Sequence, residues 1–341
     1  MKFFRREEAI RQMNFLGAQP KPFLFVIDYA MEHSYVNLLD EIPEEEVLYS
    51  FPSWSNDCGK LRAPTELSLN REPVCGQTPL NVVWNVMPES EEVYRHKFDL
   101  IQKHQNAGDC FLANLTCRIP VSTNLSLIDI YMHSKAMYKL WFKSRFVCFS
   151  PEIFIRIENG TISGYPMKGT IDASLPDAET RLMSDQKEAA EHATIVDLIR
   201  NDLSKVSTRV RVPSYRYVDR LSTNKGEILQ TSSHIEGDLP GDYREHIGDI
   251  IFSQLPAGSI TGAPKKRTVE IIGEAEDYNR GFYTGVMGIC CAGKVESAVM
   301  IRYIEEEKSG LFFKAGGGIT SQSQCKSEYE EVIQKAYVPI Y

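Results

Sequence analysis

A lysine stands between a proline and a glycine in Pro166-Met167-Lys168-Gly169-Thr170. Lysine is rarely buried unless something pairs with it or uses it. The segment therefore has two readings. Pro166 and Gly169 shape a surface turn around a solvated lysine, or Lys168 is an amine of depressed pKa that acts as a nucleophile. Two glutamate pairs offer a second chemistry. Glu188 and Glu191 open one amphipathic segment, and Glu328 and Glu331 open another. Spacing i, i+3 puts each pair on one helix face. Four carboxylates converging from two helices make a hard oxygen site suited to Mg²⁺; glutamates in first helical turns are equally favoured by the helix dipole and left in water. The run Gly316-Gly317-Gly318 would let backbone amides approach an anion. PAGSITGAPK (256–265) is also glycine-rich and ends at a helix start, but lacks the P-loop spacing. Both glycine segments also read as plain turns. Arg302 interrupts the apolar run SAVMIRY and calls for a carboxylate, the protein's own or a substrate's.

The bulk composition narrows the class. The chain has 341 residues, 43% hydrophobic and 25% charged, which is ordinary for a globular protein with a sizeable core. A net charge of −8 and the lack of a basic run argue against a nucleic-acid partner. Eight cysteines, Cys58, Cys75, Cys110, Cys117, Cys148, Cys290, Cys291 and Cys325, form no CxxC pair, and neither they nor the seven histidines show metal-ligand spacing. GxSxG and HExxH are absent. No signal peptide and no run of about 18 apolar residues is seen, so the expectation is a reduced, cytoplasmic protein without a membrane partner.

The elements that must position these residues are mostly legible. Lys21–Tyr29 reads as a buried strand, and residues 43–80 as loop-rich. Glu89–Asn106 has helical apolar spacing. Cys110–Ile119 and Phe146–Phe149 read as strands, and Arg156–Tyr165 as a hairpin turned by Asn159-Gly160. Asp185–Val206 is the clearest helix, with Asp185 and Glu188 as a capping pair and an apolar face of Ile195, Val196, Leu198, Ile199, Leu203 and Val206. Strands are expected at Val210–Val218, Gly226–Ile235, Gly285–Ala292, Glu296–Ile304 and Leu311–Ala315, the last ending at the glycine run. Leu255–Gly262 reads as a loop, Lys265–Ala275 as a helix, and Ser327–Tyr337 as a last helix with Ser327 and Glu330 as its capping box. No repeat or linker divides residues 1–341. Strands cluster rather than alternate with helices, which favours α+β.

The ordered set SPEIF (150–154), PMKGT (166–170), EAAEHATIVDLIRNDL (188–203), PAGSITGAPK, GFYTGVMG (281–288), MIR (300–302), GGGI (316–319) and EYEE (328–331) resembles the chorismate-utilising enzymes. The resemblance covers residues 81–341 best, and residues 1–80 are a divergent part of the same domain. It implies a single α+β domain of two sheets packed as a sandwich with helices outside. It implies Mg²⁺ held by Glu188, Glu191, Glu328 and Glu331 and bound to the ring carboxylate of chorismate. Tyr283 and Arg302, with amides near Gly316, Gly317 and Gly318, match positions that hold the pyruvyl carboxylate; Gly169 and Thr170 also line the pocket in relatives. Lys168 is the lysine of family members that make 4-amino-4-deoxychorismate, where anthranilate-forming members carry alanine. Glu152, sixteen residues before it, matches the general acid. Leu112 stands where water-adding members have a lysine base and aminating members a glutamine. Gln230 replaces a family histidine, and His234 follows four residues on. No glutaminase signature occurs, so the resemblance implies ammonia from a glutamine amidotransferase subunit and a product that feeds 4-aminobenzoate and folate. Anthranilate formation and a non-catalytic chorismate-binding subunit are the alternatives.

Overall fold

The structure is a computed structural model that describes residues 1–57, 82–223 and 226–340. The expectations on residues 58–81, with Cys58 and Cys75, lie outside the described residues. Two antiparallel sheets face one another. The nine-stranded sheet runs, in spatial order, Met167–Asp172, Gly226–Asp238, Thr161–Gly164, Ile153–Glu158, Lys294–Val299, Val286–Cys291, Phe23–Ile27 and Ser34–Leu38, with Thr208–Thr223 also paired to Gly226–Asp238. The eight-stranded sheet runs Gly262–Ala263, Leu112–Thr123, Gly310–Ile319, Tyr303–Glu307, Phe146–Ser150, Tyr138–Phe142 and Val47–Ser50, with Trp84–Val86 on Leu112–Thr123.

Eight helices are described: α1 (Arg6–Gly17), α2 (Glu91–Asn106), α3 (Leu127–His133), α4 (Ala178–Ser184), α5 (Gln186–Leu203), α6 (Ile247–Ser253), α7 (Lys265–Ala275) and α8 (Cys325–Gln334). The strand Phe23–Ile27 shows how the layers form. All five residues are buried. Phe23, Phe25 and Ile27 join the core under α1 and α6, while Leu24 and Val26 join a core between the sheets with Phe142, Phe146, Met287 and Tyr303. A strand covered on both faces is apolar throughout rather than alternating. A third core packs α2, α3, α7 and α8 on the outer face of the eight-stranded sheet. The expected α+β sandwich with helices outside is what the chain adopts. Among the described residues no helix is long and apolar enough to cross a membrane.

Local chemistry explains most elements and corrects three. Asn159 and Gly160 have φ of 52° and 78°, the left-handed pair a two-residue hairpin turn needs. The Asp185 side chain accepts from the Glu188 N–H at 3.0 Å and starts α5 as expected. The segment Glu296–Ile304 is not one strand. It leaves the nine-stranded sheet at Val299 and enters the eight-stranded sheet at Tyr303, so Arg302 lies in the crossing with φ 54°, outside any strand. The glycine run lies inside the strand Gly310–Ile319 rather than past its end. A Cβ on Gly316 would stand 2.6 Å from the Leu115 carbonyl, so the close approach of neighbouring strands requires glycine there. The last helix starts two residues early: Cys325 is buried and Gln324 is the N-cap, so Ser327 sits in the first turn and caps nothing.

Candidate active site

Two chain crossings lie side by side between the sheets. One carries Pro151 and Glu152 from Phe146–Ser150 to Ile153–Glu158; the other carries Met300–Arg302 in the opposite direction. Hydrogen bonds tie them: the Val299 N–H donates to the Glu152 carbonyl and the Phe149 N–H to the Arg302 carbonyl, each at 3.1 Å. A carboxyl and a guanidinium are thereby delivered to one cavity of about 200 Å³. Its wall also includes Lys168, Tyr283 and the run Gly316, Gly317 and Gly318. Gly169 and Thr170 are on the strand beside it but outside the wall; Thr170 is exposed and pairs across the sheet with Gln230, which also stays outside.

Lys168 is on the strand Met167–Asp172 and not in a surface turn. The ladder bulges between Met167 and Thr170, and Gly169 takes φ +83°. A Cβ on Gly169 would meet Glu188 Oε2 at 3.1 Å, so the bulge lets α5 sit close. The Thr231 hydroxyl donates to the Lys168 carbonyl and fixes the bulge. Lys168 Nζ lies 2.7 Å from Glu191 Oε2. Burial favours its neutral form, but Glu191, Glu188 and Glu331 outweigh burial and raise its pKa. This corrects the expectation of a depressed pKa: among these carboxylates Lys168 is held as an ammonium.

The four glutamates come from two helices near Lys168. Glu188 and Glu191 project from α5, Glu328 and Glu331 from α8, and the charge of Lys168 acts on all of them. Burial raises the pKa of Glu188 and of Glu328. The Glu331 side chain is about half exposed; its partial desolvation raises the pKa, but Lys335, 2.7 Å away, outweighs this and lowers it. Among the described residues no three carboxylate, histidine or cysteine side chains already stand as a ligand set. The donors nonetheless suit a hard cation. All are carboxylates, their charge is offset by Lys168, Lys187 and Lys335, and Glu188 Oε2 is buried without a hydrogen-bond partner.

Arg302 has no carboxylate partner among the described residues. Its Nη1 donates to the Lys335 carbonyl at 3.3 Å, and its guanidinium lies 5.0 Å from the Tyr337 ring centre. Glu152 is half-buried, and the loss of solvation raises its pKa; the Ser259 hydroxyl, 2.5 Å from Oε1, and the Lys335 charge act the other way. Burial also raises the Tyr283 hydroxyl. Sequence reasoning missed Lys335, whose Nζ donates to the Gly316 carbonyl at 3.0 Å, and Ser259. The signal for Lys335 was its place four residues after Glu331; Ser259 was visible only as part of PAGSITGAPK. Leu112 is buried on the wall and also borders a recess of about 150 Å³ beside Glu191 and Lys187.

The sequence profile of the chorismate binding enzymes matches residues 9–340. An uncharacterised PabA-like protein of Haemophilus influenzae is 43% identical over 334 residues, 98% of this chain and 97% of that one. Anthranilate synthase component 1 of Acetivibrio thermocellus is 36% identical over 247 residues, 67% of this chain and 48% of the relative. Aminodeoxychorismate synthase component 1 of Escherichia coli is 31% identical over 262 residues, 72% of this chain and 56% of the relative. The structure of anthranilate synthase component I from Streptococcus pneumoniae superposes with a TM-score of 0.68 at 20% identity, over 95% of this chain and 91% of that one.

Proposed function

The chain belongs to the chorismate-binding enzyme family, and on that footing we propose that it aminates chorismate at ring carbon 4, giving 4-amino-4-deoxychorismate. The observation that carries this reading is the place of Lys168: an amine on the wall of the cavity that Glu152 and Arg302 also line. Arg302, without a carboxylate partner among the described residues, is suited to the pyruvyl carboxylate. Mg²⁺ held by Glu188, Glu191, Glu328 and Glu331 would supply a hard cation for the ring carboxylate. The two anchors orient the substrate before reaction.

Lys168 must first lose its proton, and Glu191 is what keeps it charged; the carboxylates assigned to the metal are the ones that hold the lysine. As a free amine, Lys168 attacks ring carbon 2. Both ring double bonds shift along the ring, and the carbon 4 hydroxyl leaves with the Glu152 proton as water. Ammonia then attacks carbon 4, the carbon–Lys168 bond breaks, and the new ammonium returns a proton to the Glu152 carboxylate. Chorismate and ammonia become aminodeoxychorismate and water. The ammonia comes from a glutamine amidotransferase partner, and a separate lyase releases 4-aminobenzoate from the product for folate. Anthranilate formation is the second reading, favoured by the 36% identity to an anthranilate synthase.

Purified protein with chorismate, Mg²⁺ and ammonium should give a product of aminodeoxychorismate mass. Anthranilate with pyruvate would refute the reading. Glu152 supplies a further check. A general acid works only while protonated, so kcat/KM should fall as pH rises through its pKa, which burial places above the ordinary carboxylate value. Glu152→Gln should lower kcat by about 10²- to 10⁴-fold and abolish that basic limb. A retained limb would assign it to another group.

A further inference from the structure

We propose that Ser259 is the positioning residue for Glu152, holding Oε1 of the carboxyl so that Oε2 carries the transferable proton; this rests on the amination reading, in which Glu152 is the acid. Ser259 Oγ lies 2.5 Å from Glu152 Oε1 on the cavity wall, although 107 residues separate the two in the chain. The Glu152 backbone is already fixed, its N–H by Ser150 Oγ at 3.0 Å and its carbonyl by the Val299 N–H at 3.1 Å. What remains free is the side chain, and Ser259 is the group that restrains it.

The turn bearing Ser259 does not need the hydroxyl for its own fold. The 3₁₀ turn Gly258–Ile260 is closed by the Thr261 N–H on the Gly258 carbonyl at 3.3 Å. The Ile260 carbonyl accepts from Arg280 Nη1 at 3.0 Å. A Cβ on Gly258 would stand 2.7 Å from Leu198, so the turn is also pressed against α5. With the backbone held three ways, the hydroxyl is directed to Glu152, its one hydrogen-bond partner among the described residues. A hydroxyl that donates to one carboxyl oxygen favours the ionised form, against the burial that favours the neutral one. Lys335 at the end of α8, Lys168 on its strand, Arg302 at the other crossing and Asp202 on α5 face the same cavity, and Lys335 acts in the same direction as Ser259.

Ser259→Ala should lower kcat for chorismate consumption about tenfold or more. The KM for chorismate should stay within about twofold, because the hydroxyl is assigned to the acid and not to substrate binding. The basic limb of kcat/KM should move to higher pH, and Ser259→Thr should restore both. In a Glu152→Gln background Ser259→Ala should cost nothing further. The ¹³C carboxyl resonance of Glu152, assigned by its loss in Glu152→Gln, should titrate at higher pH in Ser259→Ala. That titration needs no turnover, so it decides the role of Ser259 even if the wild-type protein yields anthranilate or consumes no chorismate, results that would overturn the amination reading instead. An unmoved titration, or an undiminished effect of Ser259→Ala in the Glu152→Gln background, would overturn the inference.

Discussion

Lys168→Ala abolishes aminodeoxychorismate formation, with kcat reduced by at least about 10³-fold, as expected when a nucleophile is removed and only binding and charge stabilisation remain. The informative companion is Lys168→Arg. A guanidinium keeps the ion pair with Glu191 but stays protonated at any working pH, so it cannot attack carbon 2. The two variants therefore separate the lysine's charge from its nucleophilicity. Alanine leaves Glu191, 9% exposed, without its nearest cation and should cost about 2 kcal/mol of stability, a partly buried pair falling between surface and core values. Arginine should keep most of that stability and none of the activity. Urea unfolding and product mass spectrometry on the same preparations read both quantities. If Lys168→Arg retained a tenth of wild-type kcat, covalent catalysis would fall and electrostatic stabilisation of the departing hydroxyl would take its place.

The readable parts of this molecule are those in which a local pattern and a tertiary role coincide. In α5 the Asp185 cap and the apolar face both survive in the fold, because the face that repeats every three or four residues is the one packed on the sheet. The continuous apolar run Phe23–Ile27 was readable for the same reason. The Met300–Arg302 crossing was not. From Ala298 to Ile304 the run AVMIRYI is apolar but for Arg302, and nothing local states that its two halves belong to different sheets. Helix α1 was missed because its buried face is sparse in the sequence: Ala9, Met13, Leu16 and Gly17 are buried in a segment that is largely polar. The start of α8 was misplaced because Ser327 and Glu330 mimic a capping box, whereas burial of Cys325 draws the first turn upstream. The site divides likewise. The motif residues were visible by resemblance and their shared cavity is a property of the fold. The Ser259–Glu152 bond arises from long-range packing and leaves no pattern at short separation, and the place of Lys335 four residues after Glu331 does not tell of its bond to the Gly316 carbonyl.

Long-range packing also sets the largest expected stability effect. Arg280 and Glu276 are each 2% exposed and paired twice, Nε to Oε2 at 2.8 Å and Nη2 to Oε1 at 2.6 Å. The remaining donors of Arg280 reach the Ile260 carbonyl at 3.0 Å and the Asn114 carbonyl at 2.7 Å, and the guanidinium lies 4.6 Å from the Tyr29 ring centre. One side chain thus ties the Ser259 turn to the strand Leu112–Thr123, and Ile260 and Asn114 are both on the cavity wall. Arg280→Met leaves the Glu276 carboxylate buried with only the Thr116 N–H and hydroxyl to serve it, together with two unpaired carbonyls. It should destabilise the protein by about 3–5 kcal/mol. The double variant Arg280→Met/Glu276→Met should recover part of that loss, since most of it is the cost of one uncompensated charge rather than of the missing pair. Chemical denaturation of wild type, Arg280→Met, Glu276→Met and the double variant closes the cycle. A single variant within about 1 kcal/mol of wild type would mean that water reaches Glu276 and that the turn carrying Ser259 is held by its backbone contacts alone.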